Sequence, residues 1–154
     1  MKGLAQLKTG YLSSIRELNK DIDEYILASG KLKKILFVDD EKMTLKYLEK
    51  YFRHKIPGAK VFFSDSPIEA KKILIENEID LLITDLKMPI LHGREIAALA
   101  KKLNPDTRII IITAYLDEIV DDLKNEEYFL KPIVDLNILY QSVLRNLSFH
   151  GYAL

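Results

Sequence analysis

Four apolar runs in this sequence end on residues able to do chemistry. ILFV (35–38) stops at Asp39 and Asp40, LLIT (81–84) at Asp85, IIIIT (109–113) at Thr113 itself, and YFL (128–130) at Lys131, followed by Pro132. Runs of this kind are buried on both faces of a parallel sheet, so an acid at the end of one sits where sheet meets solvent. In an open parallel sheet all strand C-termini share one edge, and ligands bind outside it where the strand order reverses. The four ends are therefore expected to meet. Three carboxylates in one crevice repel by about 4 kcal/mol per close pair at an effective dielectric of roughly 20, and one lysine does not neutralise them. A hard divalent cation does, and an all-oxygen donor set without His or Cys favours Mg²⁺, with Mn²⁺ as a substitute. A carboxylate nucleophile, a hydroxyl, an ammonium group and a cation together can accept a phosphoryl group and spread its charge. The chemistry expected is phosphorylation of an aspartate.

Positioning those ends requires alternating strands and helices. The strands expected are KILFV (34–38), KVFFS (60–64), IDLLIT (79–84), RIIIIT (108–113) and YFL (128–130). Segments of helical period lie between them, which predicts a five-stranded parallel sheet with helices on both faces. Leu45, Leu48 and Phe52 mark one face of a first helix, stopped by Pro57 and Gly58. Ser66, Pro67 and Glu69 read as N-cap, first helical position and the acid of a capping box for the second. Ile96, Leu99, Ala100 and Leu103 are the face expected for the third, and Leu136, Leu139, Val143 and Leu147 for a last helix from Asp135. A short fourth helix is expected within LDEIVDDLKNEE (116–127).

The chain has 154 residues, enough for one domain with a full core. Lys+Arg and Asp+Glu each number 23, so there is no basic field for nucleic acid. The absence of cysteine removes disulfides and thiolate chemistry and fits a reducing compartment. The N-terminus lacks the unbroken apolar stretch of a signal peptide and no segment has membrane-spanning length, so a cytoplasmic protein without membrane or direct nucleic-acid contact is expected. Residues 1–32 stand apart from a unit at 33–148 and a tail at 149–154. Within them Leu4, Leu7, Tyr11, Ile15, Leu18, Ile22 and Tyr25 form one apolar stripe at helical spacing, suited to folding back on the domain or to pairing with a second copy or another protein.

The acidic pair Asp39-Asp40, the run DLKMPILHG from Asp85 to Gly93, Thr113-Ala114 and Lys131-Pro132, in that order at successive strand ends, resemble the response-regulator receiver domain of the flavodoxin-like, CheY-like fold. The resemblance covers about Lys33 to Leu147. It implies that Asp85 is the phosphorylation site and that Asp40, Asp85 and the carbonyl of Lys87 ligate Mg²⁺, with Asp39 helping through water. It also implies that Thr113 hydrogen-bonds the phosphoryl group, that Lys131 pairs with it through a cis bond to Pro132, and that Tyr128 is a switch aromatic turning inward as Thr113 moves. A sensor histidine kinase or phosphotransfer protein would supply the phosphate, an unknown downstream partner would read the result, and a homodimer could form through the leading helix. The output would be a population shift, not substrate turnover.

Thr113 and Lys131 lie closer than is usual in that family by about one helical turn, so the fourth helix is expected to be shortened or irregular. Lys87 and Tyr115 flank the route of water to the phosphoryl group, which predicts slow hydrolysis. His54, His92 and His150 have no metal-ligand spacing and read as surface residues. Two other readings compete: a receiver-like scaffold acting through its leading helix, and a magnesium-dependent phosphatase, which adjacent rather than alternate acids at 39 and 40 disfavour.

Overall fold

The computed structural model describes residues 10, 12–14, 16, 17, 20, 30–119 and 123–148. The leading stripe of Leu4, Leu7, Tyr11, Ile15, Leu18, Ile22 and Tyr25, the tail from 149 with His150, and residues 120–122 of the fourth-helix segment lie outside the described residues. The described residues between 10 and 20 are helical and exposed.

Five strands, β1 (Lys33–Val38), β2 (Ala59–Ser64), β3 (Leu81–Thr84), β4 (Arg108–Thr113) and β5 (Glu127–Leu130), form one parallel sheet in the order β2-β1-β3-β4-β5. Chain order reverses at β1 and β3, the position where such sheets place ligands. Side chains alternate across the pleat. Phe37, Ile83 and Ile112 pack on one face with α1 (Lys42–Phe52) and α4 (Leu136–Ser148), while Leu36, Leu82 and Ile111 pack on the other with α2 (Pro67–Glu76) and α3 (Gly93–Leu103). β3 is buried along its whole length because both faces are covered, which is why its sequence is apolar without alternation.

The expected faces of α1 and α4 are the buried ones, with Tyr140 and Leu144 added on α4. Two local expectations need correction. Ser66 does cap α2, its hydroxyl accepting from the Glu69 amide at 3.3 Å. The Glu69 carboxylate does not return to the Ser66 amide, which donates instead to the Ser64 hydroxyl at 3.2 Å; that hydroxyl has Ser66 O at 2.8 Å and Glu69 Oε2 at 3.2 Å as acceptors for its one proton. On α3 the buried residues are Gly93, Ile96, Ala97 and Ala100, and Leu103 is 49 % exposed. The helix is held close to the sheet at Gly93, so small residues at that spacing face inward and its last turn runs out toward solvent. In place of a fourth helix the described residues hold a 3₁₀ turn at Leu116–Glu118.

Candidate functional site

β1 and β3 carry their acids to the reversal point on continuous backbone. Asp39 N donates to Ser64 O at 3.1 Å and Asp85 N to Val38 O at 3.0 Å, so the ladder hydrogen bonds extend one residue beyond each strand and fix both acids. Asp39 is 2 % and Asp85 8 % exposed, with Asp40 half-buried. Each of the three offers a carboxylate oxygen within 4.8 Å of the others.

Lys131 enters from the far side. Its amide donates to Thr113 O at 2.9 Å, and the bond to Pro132 is cis. The ammonium lies 2.6 Å from Asp39 Oδ2, donates to Asp85 Oδ2 at 2.8 Å, and stands 3.6 Å from Glu41 Oε2. One half-buried cation thus bridges two buried anions, an arrangement that compensates desolvation only because the geometry is direct on both sides. Thr113 is fully buried, and its hydroxyl accepts from Tyr115 N at 3.1 Å and donates to Tyr115 O at 3.4 Å. Lys87 N donates to Asp85 Oδ1 at 3.3 Å, and its ammonium lies 4.4 Å from the Tyr115 ring centre. Tyr128 is 49 % exposed on the face of β5 opposite Phe129, which packs into the α1–α4 core.

Of the residues singled out in the sequence, Asp39, Asp40, Asp85 and Lys131 therefore meet directly. Thr113 and Lys87 flank them, and Tyr128 stands apart at the sheet edge. Three further residues contribute. Glu41 donates its amide to Asp39 Oδ1 at 2.9 Å and brings a further carboxylate toward Lys131; the only signal was its adjacency to the acidic pair. Gly93 matters through contact, since a Cβ there would lie 1.7 Å from the Asp85 carbonyl oxygen. His92 is on the surface, as expected, and also helps to start α3: its amide donates to the Glu95 carboxylate at 3.0 Å and its Nδ1 lies 3.2 Å from Leu86 O.

Burial pushes the Asp39 carboxyl above its ordinary value of 3.8, only partly offset by the hydrogen bond from Lys131. Burial pulls on Lys131 in the opposite sense, but hydrogen bonds to Asp39 and Asp85 outweigh it and hold its ammonium above the ordinary 10.5. A group whose folded pKa is raised gives up protons later when folded than when unfolded. The stability that Lys131 contributes is thus complete below 10.5 and is lost as pH rises through its folded value. For Asp39 the raised value makes stability fall with rising pH just above 3.8. Lys131→Met should accordingly be less stable than the parent at neutral pH, and the gap should close as pH climbs past 10.5. Urea midpoints of both proteins across that range measure it; a gap independent of pH would refute it.

Residues 35–142 match the family described as the response regulator receiver domain. This chain belongs to that family. It is 34 % identical over 101 residues to the transcriptional regulatory protein NatR of Bacillus subtilis (strain 168), a match covering 64 % of this chain and 43 % of that one. It is 33 % identical over 103 residues to sporulation initiation phosphotransferase F of the same organism, covering 64 % and 82 %. The crystal structure of response regulator protein TrrA from Thermotoga maritima in complex with Mg²⁺-BeF is similar with a TM-score of 0.63 and 30 % identity, covering 75 % of this chain and 99 % of that one. The match spans under half the length of NatR. Among the described residues no helix is long and apolar enough to cross a membrane.

Proposed function

We propose that this receiver accepts a phosphoryl group on Asp85 with Mg²⁺ bound, and signals by a shift in conformation. The observation that carries the reading is the meeting of Asp39, Asp40 and Asp85 with Lys131 at the reversal point of the sheet. The donors are all oxygen, anionic and within reach of one another, which suits a hard divalent cation, and the TrrA relative in complex with Mg²⁺-BeF supports the same choice. Asp40 and Asp85, with the Lys87 carbonyl, would hold the metal directly, and Asp39 through water. When bound, the metal neutralises carboxylate charge and polarises phosphoryl oxygens.

The chain's own groups do the rest. Asp85 is oriented for attack by the Lys87 amide and the Lys131 ammonium. Lys131 stabilises the oxygen charge of the transferred group. Thr113 releases its hydroxyl from Tyr115 to the phosphoryl group, and Tyr128 turns inward from the surface. Exposed Met43, Tyr47, Ile90 and Val134, with a hollow of about 410 Å³ lined by Tyr47, Leu48, Pro132 and Ile133, favour a protein phosphodonor, a histidine kinase or phosphotransfer protein, docking beside the site. The receiver unit is taken as residues 33–148 and works in the cytoplasm; the leading segment, 1–32, is suited by its stripe to pairing with a second copy. Incubation with acetyl phosphate should add one phosphoryl group in the presence of Mg²⁺ and none in excess chelator. Equal uptake in both would contradict the assignment of the acids to a metal.

A further inference from the structure

We propose that the outer face of β5, at Tyr128 and Leu130, is the docking surface for the leading segment of a second copy of this chain, and that phosphorylation loosens the pair. This rests on the pairing role given above to residues 1–32 and names the surface that receives them. β5 is the last strand of the sheet, and its outer edge has no strand partner among the described residues. Tyr128 registers with Ile111 and Leu130 with Thr113 on the side where α2 and α3 pack, while Phe129 between them turns into the opposite core. A right-handed crossover from β4 to β5 runs on the same side as α3. The described residues of that crossover hold a 3₁₀ turn at Leu116–Glu118 and pack Ile119 and Leu123 inward, yet Tyr128 stays 49 % and Leu130 47 % exposed, with Leu116 at 50 % in the turn. Exposed apolar side chains on an edge strand are an association site, and a helix is a common cover for such an edge.

Shape and charge select the occupant. The leading segment carries an apolar stripe at helical spacing from Leu4 to Tyr25, and its described residues between 10 and 20 are helical and exposed. Residues 1–20 hold four basic side chains against one acid, whereas residues 116–127, which border the face, hold six acids against one lysine. A chain that is neutral as a whole is thus basic along the stripe and acidic beside β5, so two copies attract in the orientation that lays one on the other. The segment joins its own domain beside Glu78, whose carboxylate lies 3.7 Å from the Lys31 ammonium, at the start of β1 and with two strands between it and β5. Tyr128 and Leu130 are exposed in the single chain, which leaves the place for a second copy. Pairing of this kind uses the outward ring of Tyr128 and opposes its inward turn. By linkage, phosphorylation that favours the turn weakens the pair.

The test follows the full chain by sedimentation. The parent should form a dimer, Ile15→Asp in the stripe and Leu130→Asp on the face should each weaken it at least about tenfold, and Leu103→Asp, at the exposed end of α3, should not. Acetyl phosphate with Mg²⁺ should weaken the parent dimer by about fivefold or more. Cross-linking keeps the test decisive where a charged variant fails to fold. The sequence has no cysteine, so under mild oxidation Leu130→Cys chains mixed with Tyr11→Cys, Ile15→Cys or Leu18→Cys chains should give a disulfide between the two in at least one pairing, and Leu103→Cys chains in none. A monomeric parent, or cross-links formed equally at 103 and 130, would overturn the proposal. A dimer lost in Ile15→Asp but kept in Leu130→Asp would overturn the β5 surface and leave pairing through the stripe standing. A dimer unchanged by phosphoryl uptake, read by intact mass, would overturn the loosening, and a dimer that takes up no phosphoryl group would overturn the receiver reading and the loosening with it.

Discussion

Asp85→Asn should take up no phosphoryl group from acetyl phosphate and Mg²⁺, and it should bind Mg²⁺ at least about tenfold more weakly than the parent. The change keeps the shape of the side chain but leaves one oxygen where the carboxylate has two, so of the Lys87 amide, bonded to Oδ1, and the Lys131 ammonium, bonded to Oδ2, only one keeps its acceptor there. It removes the only nucleophile at that position and one of three negative charges gathered within 4.8 Å. A tenfold loss corresponds to about 1.4 kcal/mol, well below the roughly 4 kcal/mol that one close charge contact carries at an effective dielectric near 20. Stability should hold or rise, because Asp39 then keeps Lys131 to itself at 2.6 Å with less repulsion. Uptake by the variant at the parent's rate, read by intact mass, would place the acceptor elsewhere, and a fall in melting temperature would count against the repulsion.

Gly93→Ala is the second substitution expected to have a large effect, and it acts through the backbone. The added methyl carbon would lie 1.7 Å from the Asp85 carbonyl oxygen and 2.8 Å from its carbonyl carbon. Neither can rotate away, since Asp85 N is bonded to Val38 O and Gly93 N to Leu86 O. Overpacking of this kind costs about 1–3 kcal/mol where side chains can yield, and here backbone would have to move, so a loss of about 3 kcal/mol or more is expected in urea unfolding, together with slower phosphorylation. Gly10→Ala is the contrast, because a methyl there meets nothing within 4 Å and replaces a glycine in a helix, which favours stability by roughly 0.5–1 kcal/mol. A Gly93 variant as stable as the parent would mean that α3 is not pinned against Asp85.

What could be read beforehand follows from which physics is local. The acids at 39, 40 and 85 were legible because a strand buried on both faces leaves no ambiguity about where it ends, and the parallel pattern then assigns all ends to one edge. The α1 and α4 faces were legible because large apolar residues mark them. The α3 face was read correctly at Ile96 and Ala100, with Leu99 partly buried against the same core, but Leu103 was misplaced and Gly93 and Ala97 were missed, because small residues carry no hydrophobic signal. Glu41 and Ser64 were missed for a related reason: each acts on a neighbour brought by tertiary structure, Lys131 for one and the Ser66–Glu69 turn for the other. The 3₁₀ turn at Leu116–Glu118 agrees with the short spacing between Thr113 and Lys131, which leaves little chain for a helix before β5 must begin.

The central claim is that one carboxylate among several gathered at the edge of the sheet receives the phosphoryl group. Borohydride reduces an aspartyl phosphate to homoserine, so trapping the protein after incubation with acetyl phosphate and Mg²⁺, then sequencing its peptides, reports the acceptor directly. Homoserine at position 85 is the result expected; homoserine at 39 or 40, or none at all, would contradict the account.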